Sequence, residues 1–169
     1  MPIDLFVSET VGSTFKVCND LVHFHTEEHF QFIDLTELVR ERVRRSRVTY
    51  GLVNVHTKHT TTALVVNENE PLLLDDFKAL VERWAPQERS YRHNDIHARL
   101  EAPPGERPNG HSHARALLLG MSVSLNITEG KIHLGEFQNI FLVELDEMRR
   151  RSVSILVLGL SGDQEDSPR

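Results

Sequence analysis

Residues 50–67 read YGLVNVHTKHTTTALVVN, and this stretch decides the fold. Valine, leucine and threonine are frequent at both of its ends and favour strands, so we predict buried strands over residues 50–56 and 62–67. His59 follows the first strand, and Glu68 follows the second. Because strands linked by a turn return to a common edge of a sheet, we expect this imidazole and this carboxylate to lie together.

Two amphipathic helices are predicted on either side of this stretch. Asp34 is predicted as the N-cap of a helix over residues 35–46, with Glu37 three positions later as in a capping box. The second helix begins at Pro71, because proline is favoured in a first helical turn, and ends before Pro86, which cannot continue a helix. Both helices carry an apolar stripe at helical spacing, so each is expected to pack one face against the sheets.

The remaining predicted elements are mostly strands. Residues 1–19 hold one or two short strands, residues 21–33 are interpreted as a hairpin, and residues 87–110 form a long polar loop. Mixed strands and helices without regular β-α-β alternation favour an α+β domain with largely antiparallel sheets. After the loop we predict a short helix over 113–119, then strands over 123–127, 132–134, 140–143 and 153–158.

The composition argues against several classes of protein. With 169 residues, of which 39% are hydrophobic and 26% charged, the chain suits one globular domain. Its net charge of -6 argues against binding of nucleic acid through the phosphate backbone. No apolar run approaches the roughly 20 residues of a membrane helix and the start lacks signal-peptide features, so we expect a cytoplasmic protein without a membrane partner. The one cysteine, Cys18, cannot form an intrachain disulfide.

The ten histidines are the unusual feature of the composition. Imidazole and carboxylate groups suit zinc or a similar divalent ion, but no histidine spacing here is a strong metal signature and no HExxH motif occurs. The residues leave two alternatives open. Histidines such as His23, His25 and His29 face solvent on strands, or histidines titrate in a polar interior without binding a metal.

Several motifs occur in an order that resembles one family. Together they resemble the YjbQ-like family over residues 20–160. The resemblance implies an α+β fold of two packed, mainly antiparallel sheets with a few helices, assembled as a homotrimer with sites near subunit contacts. Residues 1–19 are then an N-terminal extension, and residues 161–169 are a flexible tail. The motifs are HTTTALVVNEN at 59–69, Asp76, YRH at 91–93, HSHARALLLG at 111–120 and GKIHLGEFQNIFLVELD at 130–146, followed by Arg149–Arg151.

The resemblance also implies an activity. Members are described as secondary thiamine-phosphate synthases, transferases that join hydroxymethylpyrimidine diphosphate to a thiazole phosphate and release pyrophosphate. On this interpretation His59, His93 and His113 hold a divalent metal ion, zinc or magnesium, or an anionic ligand. The catalytic residues are Glu68 as acid, base or fourth ligand, Gln138 to orient the substrate, and His59. The substrate-binding residues are Thr60, Thr61, Asn67, Asp76, Arg149 and Arg151.

Other features of the chain leave the function open. Phe137 stands where the family usually has tryptophan, which keeps a stacking ring but removes an N–H donor. The segment 95–108 is longer and more charged than expected and is interpreted as a lid or rim. Gly130 and Gly135 suit a turn and a bulge. The arginines at 149–151 either offset the charge of a leaving pyrophosphate, or are solvated, or pair with acidic residues across a subunit contact.

Two rival functions belong to different classes. The first is a trimeric protein that binds a metal or a small anionic metabolite without turnover. The second is a metal-dependent hydrolase of phosphate esters, which would need a metal with an open water position.

Overall fold

The computed structural model describes residues 14–100, 102 and 105–161. The helices are α1 (Thr36–Ser46), α2 (Pro71–Trp84) and α3 (Gly110–Leu119). The strands are β1 (Thr14–His25), β2 (Gln31–Asp34), β3 (Tyr50–Thr57), β4 (Thr62–Asn67), β5 (Ser122–Thr128), β6 (Lys131–Ile132), β7 (Asn139–Glu144) and β8 (Arg150–Ser161). They form two antiparallel sheets with the strand orders β1-β8-β3-β5-β6 and β2-β7-β4, which confirms the predicted α+β class.

The three-stranded sheet is the middle layer of the fold. Successive side chains of a strand point to opposite faces, so neighbours on β7 enter different cores. Ile140 and Leu142 pack toward the five-stranded sheet and α1, with Val39 of that helix fully buried. Phe141 and Val143 pack on the other side, against α2 and α3. None of the helices in the described part of the chain is long and apolar enough to cross a membrane.

Both predicted helices form, but the N-terminal cap of α1 differs from the prediction. Asp34 lies one position before the N-cap residue, Leu35, and its side chain accepts a hydrogen bond from the Thr36 N–H (2.8 Å). Glu37 does not close a capping box and instead pairs with Arg40 (2.7 Å). At α2 the proline lies in the first turn as predicted, and the carboxylate of the preceding glutamate supplies the cap.

The hairpin predicted over residues 21–33 is wrong. β1 pairs with β8 along its whole length, whereas β2 pairs with β7 in the other sheet. Alternating polar and apolar residues indicate a strand but do not say which strand is its partner, so the same pattern fits a hairpin and a crossover. Residues 14–19, assigned to an N-terminal extension, form the first half of β1 and pair with residues 156–161. Ser161, assigned to the tail, is the last residue of β8, and residues 1–13 and 162–169 lie outside the described residues.

The helix predicted over 113–119 begins three residues earlier, at Gly110. Pro108-Asn109-Gly110 has turn-forming residues, which hid the start of the helix. Gly110 is required by packing, because an added Cβ would lie 2.5 Å from the Cβ of Tyr91. His111, which lies between the predicted loop and the predicted helix, is a buried residue of α3.

Candidate functional site

Three segments that carry the chain from one sheet to the other lie side by side at one edge of the fold. We call this place the crossover edge. Backbone hydrogen bonds join the segments, from the Thr26 N–H to the Arg149 carbonyl (3.1 Å) and from the Leu145 N–H to the Thr61 carbonyl (3.2 Å). The segments are 26–30, 58–61 and 145–149.

A buried ion pair ties the three segments together. Glu144 at the end of β7 is 0% exposed, and it accepts a hydrogen bond from Arg151 Nε (2.6 Å). Arg151 Nη2 also donates to the Thr61 hydroxyl (3.1 Å), and the Thr26 hydroxyl donates to Glu144 (3.0 Å). Arg151 is predicted to bind substrate, but most of its N–H donors form hydrogen bonds within the protein. Because both charged partners are also hydrogen-bonded, this ion pair holds the crossover edge in one geometry.

Arg149 has a different environment from Arg151. Its side chain is partly exposed, and Nη2 lies 3.0 Å from Asp146 of the same chain. One alternative predicts that the arginines pair with acidic residues across a subunit contact. Arg149 instead pairs with Asp146 of the same chain. Glu147 pairs with Arg107, a residue of the segment interpreted as a lid or rim.

His59 is held in the crossover between β3 and β4. Its Nε2 accepts the backbone N–H of Ser152 (2.8 Å), and the Ser152 hydroxyl lies 3.1 Å from the same nitrogen. The turn is closed below the ring by a hydrogen bond between the hydroxyls of Thr57 and Thr62 (2.5 Å). Burial lowers the pKa of His59, and the nearby Arg151 guanidinium lowers it further, so the neutral ring is favoured.

His93 and His113 come together as the sequence predicts. Their ring centroids are 4.6 Å apart in an edge-to-face arrangement. Glu106, which the sequence did not single out, brings Oε1 to 3.7 Å from His93 Nε2, while Arg99 Nη1 lies 2.9 Å from Glu106 Oε2. Burial lowers the pKa of His113, and the neighbouring His93 adds to this effect.

His59, His113 and Glu106 border a cavity of about 310 Å³ that we call the crossover pocket. A second cavity of about 350 Å³ shares Thr60 and His113 with it and is otherwise lined by apolar groups such as Leu117 and Met121. A polar and an apolar cavity thus meet at these two shared residues. The crossover pocket is lined by Lys58, His59, Thr60, Thr61, Glu106, Asn109, His113, Arg149 and Arg151.

The remaining predicted site residues lie elsewhere in the chain. Asn67 and Glu68 follow the opposite end of β4, a strand that spans about 17 Å. Gln138 lies beside them, where its side chain accepts the Gly135 N–H (2.8 Å). Asp76 is exposed on α2. We call the surface formed by Asn67, Glu68 and Gln138 the far end of β4.

The expectation that Glu68 meets His59 is therefore wrong within one chain. His59 lies in the segment before β4, and Glu68 follows the last residue of β4, so the length of this strand separates them. A hairpin would separate them in the same way, because the end of its second strand lies beside the start of its first strand. β3 and β4 in fact belong to different sheets and are linked by a crossover.

The residues of one chain fit a divalent metal only in part. Within residues 14–100, 102 and 105–161, no three His, Cys, Asp or Glu side chains are arranged to hold an ion. His93 and His113 supply two imidazoles, and His93 Nε2 is buried without a hydrogen bond in that part of the chain. Zinc in proteins takes three or four protein ligands. His59 does not supply the third, because its Nε2 already accepts a backbone N–H. A metal site stays a prediction.

Sequence reasoning missed three lining residues of the crossover pocket: Lys58, Glu106 and Asn109. Lys58 directly precedes the matched histidine and could have been found from that position. Glu106 lies in an irregular segment where no periodicity indicates which way a side chain points. Asn109 belongs to a sequence typical of a turn, yet it is buried and its amide donates to Asp146 (3.1 Å).

Comparison with known proteins finds relatives that match most of the chain. A relative from Methanothermobacter thermautotrophicus, "UPF0047 protein", is 34% identical over 148 residues, 88% of this chain and 96% of the relative. Another UPF0047 protein, from Archaeoglobus fulgidus, is 40% identical over 133 residues, 79% of this chain and 95% of that protein.

Solved structures are similar as well. A crystal structure described as a YbjQ-like protein of unknown function, from Sulfolobus solfataricus, matches with a TM-score of 0.79 and 33% identity. The match covers 86% of this chain and 99% of that one. A YjbQ/UPF0047 protein from Clostridium acetobutylicum matches with a TM-score of 0.72 and 31% identity, covering 82% and 98% of the two chains. The family profile "UPF0047 protein YjbQ-like" matches residues 20–160, and the chain belongs to this family.

Proposed function

We propose that the crossover pocket binds a small anionic metabolite and that the protein is a transferase with secondary thiamine-phosphate synthase activity. The observation that carries the proposal is the set of groups around this pocket. Three cationic side chains, Lys58, Arg149 and Arg151, line it together with one carboxylate, Glu106. Cations fixed in place before the reaction stabilise negative charge that develops on a leaving group. A pocket of this kind suits a diphosphate ester. We also propose, as a separate point, that the protein works in the cytoplasm.

The position of each residue around the pocket indicates its role in binding the anion. Lys58 and Arg149 would contact the anion, because the Arg149 side chain is partly exposed, whereas Arg151 is buried and paired with Glu144. The Thr60 side chain would help to place the anion, since it lies where the polar and apolar cavities meet. A divalent ion held by His93 and His113 would supply further charge neutralisation to the same anion.

We further propose that the protein is a homotrimer in which a neighbouring copy completes the site. Asn67, Glu68 and Gln138 lie at the far end of β4, so a site that contains them and His59 needs two chains. An exposed apolar surface supports self-association, since large patches of this kind mark interaction sites. This surface is the outer face of the five-stranded sheet, where Phe15, Val17, Leu21 and Leu52 are exposed.

The proposal is tested by comparing two neighbouring arginines. Arg149 lines the crossover pocket, whereas Arg150 is a strand residue that pairs with His25. Losing a charge-assisted hydrogen bond should weaken binding of inorganic diphosphate to Arg149→Gln by about tenfold or more, measured by calorimetry. Arg150→Gln should bind as the wild type does. Equal affinities in the two variants would contradict the location of the site.

Turnover is tested separately on the wild-type protein. Incubation with hydroxymethylpyrimidine diphosphate and thiazole phosphate should form thiamine phosphate, detected by mass spectrometry, and Arg149→Gln should form it more slowly than Arg150→Gln. Diphosphate binding without any product would favour the rival in which the protein is a binder.

A further inference from the structure

We infer that His59 is a neutral N–H donor in the crossover pocket, locked in the tautomer that carries its proton on Nδ1, and that it binds an oxygen of the anion. This role differs from the metal-ligand role that the family resemblance implies for this residue. The inference rests on the proposed function only for the presence of an anion. The tautomer itself follows from contacts within the chain.

The tautomer is set by the backbone of β8. A backbone N–H is always a donor, so the ring nitrogen that receives the Ser152 N–H must present a lone pair. That nitrogen is His59 Nε2, at 2.8 Å. A neutral imidazole with a lone pair on Nε2 carries its proton on Nδ1. Turning the ring over would put a C–H group against the Ser152 N–H, so the reverse assignment loses this hydrogen bond.

The His59 ring takes the place of the backbone carbonyl that a longer β3 would offer to β8. The pairing of β3 with β8 ends at Thr57 and Val153. One residue further, the Lys58 N–H still reaches the Ser152 carbonyl (3.4 Å), while the Ser152 N–H is bound by the His59 ring instead of a carbonyl. The side chain therefore caps the end of the sheet. A group that satisfies a backbone donor in this way is costly to move, because the partly buried N–H would lose its partner.

The remaining ring nitrogen can act only as a donor. Metal binding and proton abstraction both need a lone pair, and in this tautomer Nδ1 has none to offer. Its N–H belongs to a side chain that lines the crossover pocket beside Lys58 and Arg149. A neutral donor next to two cations matches phosphate or carboxylate oxygens, which accept several hydrogen bonds at once. The inferred ligand is therefore an oxyanion bound directly by His59.

The tautomer can be measured without any ligand. Full-length protein labelled with 15N-histidine would be examined by two-bond 1H–15N correlation, and the His59 signals assigned by their loss in His59→Asn. We expect Nδ1 at the shift of a protonated nitrogen and Nε2 at that of an unprotonated nitrogen. A spectrum with the proton on Nε2, or with both nitrogens averaged, overturns the inference. Because no anion is needed, this result is independent of the proposed function.

A pair of variants tests the donor in binding. The amide nitrogen of asparagine can stand in for an Nδ1–H, whereas that of glutamine reaches the position of Nε2 and faces Ser152. We expect His59→Asn to bind inorganic diphosphate about tenfold more tightly than His59→Gln, in calorimetry with both variants folded by circular dichroism. Equal affinities, or tighter binding by His59→Gln, would overturn the role. If the wild type binds no diphosphate, the proposed function fails and the spectrum alone decides the tautomer.

Discussion

The two ends of β4 hold their polar residues in contrasting ways. At the crossover edge Glu144 and Arg151 are buried and joined by short hydrogen bonds, and His59 is fixed by a backbone N–H. At the far end Asn67 is exposed, and the Glu68 side chain is only partly covered. A rigid, desolvated edge suits a site that is formed before the ligand arrives, whereas an exposed polar surface suits contact with another molecule.

The largest expected difference between the two ends is in stability. Glu144→Gln leaves Arg151 buried without its charged partner, so we expect the free energy of unfolding to fall by about 3–5 kcal/mol. Glu68→Gln makes the matched change at the far end and should alter stability by less than about 0.5 kcal/mol. Both values come from denaturant unfolding of the full chain at one protein concentration and pH 7. A loss below about 1 kcal/mol for Glu144→Gln would contradict its role in tying the crossovers together.

The relation between the two ends can be tested by mixing variants. Glu68→Ala alters the far end of β4 and Arg149→Ala alters the crossover pocket, so each should lose synthase activity as a pure protein. If each site draws one end from each of two copies, random mixed trimers should recover about a quarter of wild-type activity, since half of the copies are intact at either end. The activity is measured after the variants are unfolded and refolded together. Mixtures that stay as inactive as the separate variants would contradict a site shared between two copies.

A smaller difference is expected in the response to pH. Burial, Arg115 and His29 lower the pKa of His111, and Asp146 and Glu82 only partly oppose this. The unfolded chain then binds protons more readily than the folded chain, so stability is complete above the unfolded pKa of about 6.5 and falls as the pH drops below it.

Two variants measure this pH response in denaturant unfolding between pH 7.5 and 5, with a chelator present. His111→Gln should lose less stability across this range than the wild type, because glutamine takes up no proton when the chain unfolds. The exposed His25, replaced by glutamine, should leave the pH response unchanged. A His111→Gln variant with the wild-type response would show that this histidine does not cause the loss.

Most of the individual elements could be predicted from local sequence. Valine-rich runs predicted β3 and β4, and Pro71 with a helical stripe predicted α2, because these signals depend on neighbours along the chain. The errors occurred where distant residues decide the outcome. Thr26 looked like part of a hairpin tip, yet its backbone and hydroxyl bind Arg149 in another crossover.

The candidate site was predictable in part. The resemblance to a family correctly grouped His93 with His113, and it selected Thr60 and Thr61, which line the crossover pocket with His59. It could not separate these residues from Glu68, because a family pattern records which residues occur and not which chain or which end of a strand supplies them. Glu106 was missed, since nothing in an irregular segment predicts that its carboxylate turns toward His93.

The sequence by itself determined the family, the α+β class and the strand and helix segments, because motif order and periodicity are properties of the chain as it is written. Only the tertiary structure decided that β3 and β4 enter different sheets and that Ser152 holds the imidazole. These outcomes depend on pairing between segments far apart along the chain, and periodicity does not encode which partner a strand takes.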